Sequence, residues 1–191
     1  MRTEVRRIRP EEGQTLKRLR LAALKESPSA FGSTYEAEVL RTDEEWAQWA
    51  ELGSVAVDRV TFFAVLGDNV VGLVGGYRPD RGGTVVELVS MWTSPEARRT
   101  GLGRSLVGAV VDWAMVLAVV SVDLWVAGGN DPAVGDVRSA AVGPGFGDGW
   151  PSRLDLRPES GGGPSHGRPT SITMSSRWSF VGWPAARRRG S

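Results

Sequence analysis

The chain has 191 residues, 23 basic and 22 acidic, with a formal net charge of +1: enough length for one domain with a full core, and no electrostatic footprint for nucleic acid or an anionic membrane. Cysteine is absent and His166 is the single histidine, which excludes disulfides, thiolate catalysis and cysteine or multi-histidine metal sites. No metal is expected, and a small or locally charged partner fits better than a macromolecular polyanion.

The opening MRTEVRRIRP is basic, but an amphipathic stretch follows it instead of an apolar core with a small-residue cleavage site, so it does not read as a secretory signal. Thr3 to Arg9 mixes Val5 and Ile8 with charges and stops at Pro10, which suits a short edge strand. From Glu11 the apolar positions Leu16, Leu19, Leu21, Ala23 and Leu24 recur near helical spacing until Ser27-Pro28 closes the run. Thr42-Asp43-Glu44-Glu45 resembles a capping box and starts a second helix with Trp46, Trp49 and Ala50 on one side.

Val60 to Leu66 and Val70 to Tyr77 flank the turn Gly67-Asp68-Asn69 and form a hairpin. After a second turn over 78–83, Thr84 to Thr93 reads as a largely buried strand ending at Ser94-Pro95. Gly101 opens a helix through Leu102, Leu106, Val110, Trp113 and Leu117, and Val122 to Ala127 is again β-prone. Strand, helix, strand implies a right-handed crossover and a parallel pair. The fold class is therefore α+β, a mixed and mostly antiparallel sheet flanked by helices. The run Val110 to Val122 is interrupted by Asp112 and Ser121 and is shorter than the roughly 20 apolar residues of a membrane span, so a cytoplasmic location is expected. Of the basic residues only Lys17 and Lys25 are lysines, as in a GC-rich, bacterial coding sequence.

Residues 135–191 change character: 11 Gly, 6 Pro and 9 Ser stand against only nine of Val, Leu, Ile, Met and Phe, too few for a core. The tail carries eight Arg and four acidic residues, a net +4, leaving −3 on residues 1–134. The division is thus a folded domain over 1–134 and a Gly/Pro/Ser/Arg-rich tail over 135–191 that is expected to be poorly ordered, largely unpaired from about residue 145 onward.

The segment that carries chemistry is ELVSMWTSPEARRTGLGR, Glu87 to Arg104. A buried strand is followed by a basic, glycine-rich loop and at once by an apolar-faced helix. Glycines allow close backbone approach, consecutive N–H groups converge, and the helix start adds about half a positive charge, together an anion cradle. Arg98, Arg99 and Arg104 can add charge-assisted bonds to a diphosphate. A dinucleotide-binding G-x-G-x-x-G would need glycine at Leu106, and a P-loop would need a Gly-Lys-Ser/Thr that is absent. Acyl-CoA is the phosphate ligand that remains.

This stretch resembles the acetyl-CoA motif of the GNAT superfamily of N-acetyltransferases, an Arg/Gln-x-x-Gly-x-Gly/Ala loop matched by Arg98, Gly101 and Gly103. The order of elements is similar too, and LRLAALKESPSAFGSTYEAE followed by Trp46 resembles the amino-terminal region of bacterial members. The resemblance covers about Thr3 to Val134. It implies the acyl-CoA N-acyltransferase fold, acetyl-CoA as cosubstrate, and pantetheine contacts from the backbone of Met91, Trp92 and Thr93. It further implies a pyrophosphate site lined by Arg99, Thr100, Gly101, Leu102, Gly103 and Arg104 beside Arg98. The implied partner is an amine-bearing acceptor: a small molecule, a peptide N-terminus or a lysine. A homodimer is left open.

A lysine-like amine has a pKa of about 10.4, so transfer needs a base. Glu87, eleven residues before Arg98, is placed similarly to the catalytic glutamate of the histone-acetylating branch; its other reading is an outward strand glutamate or a structural ion pair. In the family, Asn-x-x-Ala-x-x-x-Tyr supplies a contact to the cofactor and a tyrosine that protonates the leaving thiolate. Asn130 and Ala133 match, but Val137 stands where the tyrosine belongs, and Gly145-Phe146 comes four residues late. That departure motivates two rivals to an enzyme, a non-catalytic acyl-CoA-binding protein that lost its carboxy-terminal half-site, and the product of a shifted reading frame.

Overall fold

The computed structural model describes residues 2–80, 82–119, 121–126, 153–158 and 170–175. In chain order the elements are β1 (Thr3–Arg7), α1 (Gly13–Glu26), α2 (Tyr35–Glu38), α3 (Asp43–Val55), β2 (Arg59–Leu66), β3 (Asn69–Tyr77), β4 (Val85–Thr93), α4 (Leu102–Val116), β5 (Ser121–Val126), β6 (Arg153–Pro158) and β7 (Thr170–Ser175). They build one mixed sheet in the order β1-β2-β3-β4-β5-β7-β6. Only the β4–β5 pair is parallel among the pairings described, with α4 as the crossover between them.

Local chemistry accounts for the boundaries. The Thr42 hydroxyl accepts from the Glu45 N–H at 3.3 Å while the Glu45 carboxylate accepts from the Thr42 N–H at 2.7 Å, so the capping box read in the sequence starts α3. Gly67, at φ 62°, turns β2 into β3. The four-residue α2 was not anticipated; Thr34 caps it by accepting from the Ala37 N–H at 3.3 Å, a signal too short for periodicity to reveal.

The sheet separates two cores. Beneath α4, Leu102, Leu106, Val107, Val110, Val111 and Ala114 pack on Ala64, Val74, Val86, Leu88, Val122 and Leu124. On the opposite face α1 and α3 bring Leu16, Leu19, Ala23, Trp46 and Ala50 onto Phe63, Leu73 and Trp92. Trp46 and Trp49 stack there at 5.4 Å with 7° between their planes. The two rings divide by depth: Trp46 is wholly buried, whereas Trp49 also reaches the cavity described below.

The tail requires a correction for twelve positions. Residues 153–158 and 170–175, within the stretch expected to be largely unpaired, are strands: β7 pairs antiparallel with β5 from Ser121↔Ser175 to Val126↔Thr170, and β6 pairs with β7. A count of apolar residues missed what spacing holds, since Leu154 and Leu156, like Ile172 and Met174, alternate with period two. The remainder of 135–191 lies outside the described residues.

Candidate functional site

The site is organised by an irregularity in β4. Leu73 pairs with Trp92 and Gly75 with Val89, so Val74 faces two residues, Ser90 and Met91, and β4 carries a bulge. Ser90 takes φ 57°, a left-handed conformation that is rare for a residue with a side chain. The extra residue shifts the alternation: Val89 and Ser90 both line the α1/α3 side, Met91 packs toward the α4 core and Trp92 returns to the α1/α3 core.

The bulge also coincides with a parting of strands. The β4–β5 register runs from Val85↔Ser121 to Leu88↔Leu124 and goes no further, although β4 continues to Thr93 and β5 to Val126. Among the described residues the β5-facing edge of β4 is therefore free of the ladder beyond Leu88, which leaves backbone groups of Val89 to Thr93 available to another partner. Gly72 permits this course of the chain, because a Cβ there would lie 2.9 Å from the Trp92 carbonyl oxygen.

At the end of β4 the chain passes through a 3-10 turn at Pro95–Ala97 and reaches the glycine-rich loop. Arg99 at φ 62° and Gly101 at φ 86° are both left-handed, the alternation of backbone conformations that gathers N–H groups into an anion nest. Gly101 is the N-cap of α4 and has no side chain to satisfy the helix's first N–H groups. Nothing lies within 4 Å of where its Cβ would stand. The Thr100 hydroxyl donates to the Ala97 carbonyl at 2.6 Å; Arg99 and Thr100 are exposed and Arg104 half-buried.

Arg98 does something the sequence did not indicate. Its guanidinium donates to Glu26, the last residue of α1, at 2.7 Å and to the Thr93 carbonyl at 3.3 Å. The Trp92 indole N–H donates to the same Glu26 oxygen at 3.0 Å. The Arg98 bond foremost, then the Ser27 hydroxyl and the Trp92 indole, overcome partial burial and hold the Glu26 carboxyl at about 2. The first loop arginine is thus tied to α1, and Arg99, Arg104 and the backbone remain for an anion.

Glu87 lies on the α1/α3 side of β4, half-buried, with register partners Tyr77 on β3 and Asp123 on β5. The Tyr77 hydroxyl donates to Glu87 Oε2 at 2.6 Å, and the bond to that carboxylate, with burial, raises the Tyr77 pKa. Tyr77 also lines a cavity of about 320 Å³ with Leu16, Trp49, Thr61, Val89 and Ser90. Tyr77 and Asp123 escaped sequence reasoning because only pairing register places them beside Glu87. One Asp123 carboxylate oxygen is buried without a partner among the described residues. Asn130, Ala133, Val137 and Gly145-Phe146 lie outside the described residues.

Comparisons with known proteins bear on the family and the fold. The model of the acetyltransferase (GNAT) family matches residues 21–137. A putative acetyltransferase from Salmonella typhimurium, solved with acetyl-CoA, superposes with a TM-score of 0.68 at 14% identity, over 97% of this chain and 100% of that one. A GNAT-family acetyltransferase from Streptococcus pneumoniae gives 0.65 at 15% identity, over 90% and 98%. Spermidine N-acetyltransferase from Vibrio cholerae, solved with CoA and spermine, gives 0.62 at 15% identity, over 91% and 95%. No curated protein sequence matches. At these identities the structures establish the acyl-CoA N-acyltransferase fold, and the family match covers well over half of the sequence: the chain belongs to the GNAT acetyltransferase family.

Proposed function

We propose that the chain transfers the acetyl group of acetyl-CoA to an amine by direct attack within a ternary complex. The observation that carries this reading is the continuity of β4 and its loop. A strand edge from Val89 to Thr93 outside the β4–β5 ladder leads through the Pro95–Ala97 turn into left-handed Arg99 and Gly101 and an uncapped helix start. An extended amide-bearing arm suits the first part and a diphosphate suits the second. Met91, Trp92 and Thr93 would meet the pantetheine through backbone groups, and Arg99 to Arg104 the pyrophosphate. Arg98, held by Glu26, would shape the loop more than contact the anion.

The acceptor would enter from the cavity on the α1/α3 side, where Leu16, Trp49 and Val89 offer an apolar wall and Thr61, Tyr77 and Ser90 offer hydroxyls. Its nitrogen gives up a proton to Glu87, directly or through one water, and bonds to the acetyl carbonyl carbon; the carbon–sulfur bond breaks with its electron pair staying on sulfur, so CoA leaves as the thiolate. Tyr77 keeps its proton and, by donating to Glu87, orients the carboxylate. Amine acceptors in the fold neighbours, such as spermidine for the Vibrio cholerae enzyme, support the substrate class.

A thiol-release assay with acetyl-CoA and a panel of small amines, peptide N-termini and lysine peptides tests this reading. Amine-dependent release names the acceptor class. Tight acetyl-CoA binding without release for any amine would instead establish the non-catalytic binding protein that Val137, in the tyrosine position, suggests.

A further inference from the structure

Apart from Glu26, the segment LRLAALKESPSAFGSTYEAE has no part in the reaction proposed above, yet Arg20, Ser33 and Glu38 converge on one point. Arg20 and Glu38 are 5% and 3% exposed, and they form a two-pronged pair with nitrogen–oxygen distances of 2.9 to 3.2 Å. The Ser33 hydroxyl donates to the same carboxylate. Phe31 lies beneath the guanidinium, its ring centre 4.7 Å from Arg20 Cζ. Burial alone would raise the Glu38 pKa, but the bonds from Arg20 and Ser33 leave it lowered. A desolvated pair of this kind is more often neutral than stabilising against an apolar substitute, so its presence asks for a use.

The remaining Arg20 nitrogen shows one. Nη1 donates to the Ser90 hydroxyl at 3.0 Å, across 70 positions of sequence. Ser90 is the left-handed residue of the β4 bulge, a strained conformation that persists only where its surroundings hold it. Glu38, itself held by Ser33, and the Phe31 ring fix the guanidinium, and Arg20 has one donor directed at the hydroxyl of the strained residue. A lysine has neither the planar fork nor the reach to serve Glu38 and Ser90 together.

We infer that Arg20 is a positioning residue: clamped by Glu38, it pins Ser90 in the bulge and thereby sets the backbone of Met91 to Thr93 against which acetyl-CoA lies. This rests on the acetyl-CoA reading above. It gives the amino-terminal segment a role in cofactor geometry as well as in packing.

The test is a double-substitution cycle on Arg20→Lys and Ser90→Ala, read by calorimetric acetyl-CoA affinity, by Tm, and by amide hydrogen exchange at Ser90 to Thr93 without ligand. Ser90→Ala leaves the Arg20–Glu38 pair intact, so Tm should stay near that of the parent, while acetyl-CoA affinity falls about fivefold and exchange at the bulge accelerates. Arg20→Lys should weaken binding to a similar degree in the parent, and by less than about twofold in the Ser90→Ala background. Unchanged affinity and exchange in Ser90→Ala would overturn the inference, as would an equal loss from Arg20→Lys in both backgrounds. If Arg20→Lys does not fold, Ser90→Ala decides alone. If the parent fails to bind acetyl-CoA, the functional reading falls and exchange at the bulge decides the positioning claim separately.

Discussion

The two faces of the sheet are built on different terms. Under α4 the buried cluster is entirely Val, Leu and Ala, a contact that transfer of apolar surface from water can assemble without directional bonds. Under α1 and α3 the same sheet carries buried Arg20, Glu38 and Thr61 among Leu, Phe and Trp, and Glu87 and Tyr77 beside a cavity. Each of those polar groups needs a partner in place, because an unpaired one costs more than it returns. The comparison teaches that one strand can serve both purposes: ordinary alternation sends Val86 and Leu88 to the apolar core and Glu87 and Val89 to the polar side, and the bulge adds Ser90 to the latter.

Stability should therefore respond to one face and chemistry to the other. The largest expected effect is on the apolar side: Leu106→Ala, at a wholly buried position of α4, should lower unfolding free energy by about 2–5 kcal/mol. Urea unfolding measures it, and turnover per folded molecule should be nearly unchanged. On the polar side, Glu87→Gln keeps shape and removes the base, so kcat should fall about a hundredfold near neutral pH with little change in acetyl-CoA affinity or Tm. That loss should shrink toward high pH, where the amine gives up its proton unaided. An equal loss at every pH would assign Glu87 to structure and weaken the contrast between the faces.

Gly101→Val sharpens the comparison where the strand gives way to the loop. Its Cβ would meet no atom within 4 Å, so the penalty comes from φ 86° and from the loss of close backbone approach. Acetyl-CoA affinity should fall about tenfold by titration calorimetry. The smallest effect belongs to Glu26. Its pair with Arg98 is partly exposed on both sides, so Glu26→Gln should change stability by about 0–1 kcal/mol. Since the folded carboxyl sits at about 2, below the ordinary carboxylate value, that contribution is complete above the unfolded pKa and is lost as pH falls toward 2. In Arg98→Met, the same carboxyl followed by NMR should titrate at higher pH.

Much of this frame was legible in the sequence, for reasons that differ by residue. The hairpin around Gly67, the start of α3 at Thr42 and the loop at Gly101 carry local signals, because turn, cap and left-handed positions each demand particular residue types. The partners of Glu87 were not legible: Tyr77 and Asp123 reach it through register across two ladders, and nothing in their spacing marks them. The same holds for Arg20 and Ser90, and for Arg98 and Glu26, since a helix read by its apolar period does not say which polar side chain on the inner face crosses to a strand. The bulge at Ser90 was hidden because ELVSMWT alternates too loosely to betray an extra residue. In 153–158 and 170–175 the pattern was present, and a composition count over the whole tail obscured it.

The central claim is that acetyl-CoA lies along the open edge of β4 and ends on the loop before α4. Titrating the isotope-labelled protein with acetyl-CoA while following backbone amide shifts tests it most directly. The account predicts that the largest shifts fall on Met91 to Thr93 and Arg99 to Arg104, with the β1–β2 ladder scarcely moved. Saturable binding whose shifts cluster elsewhere, or no binding at millimolar acetyl-CoA, would contradict it.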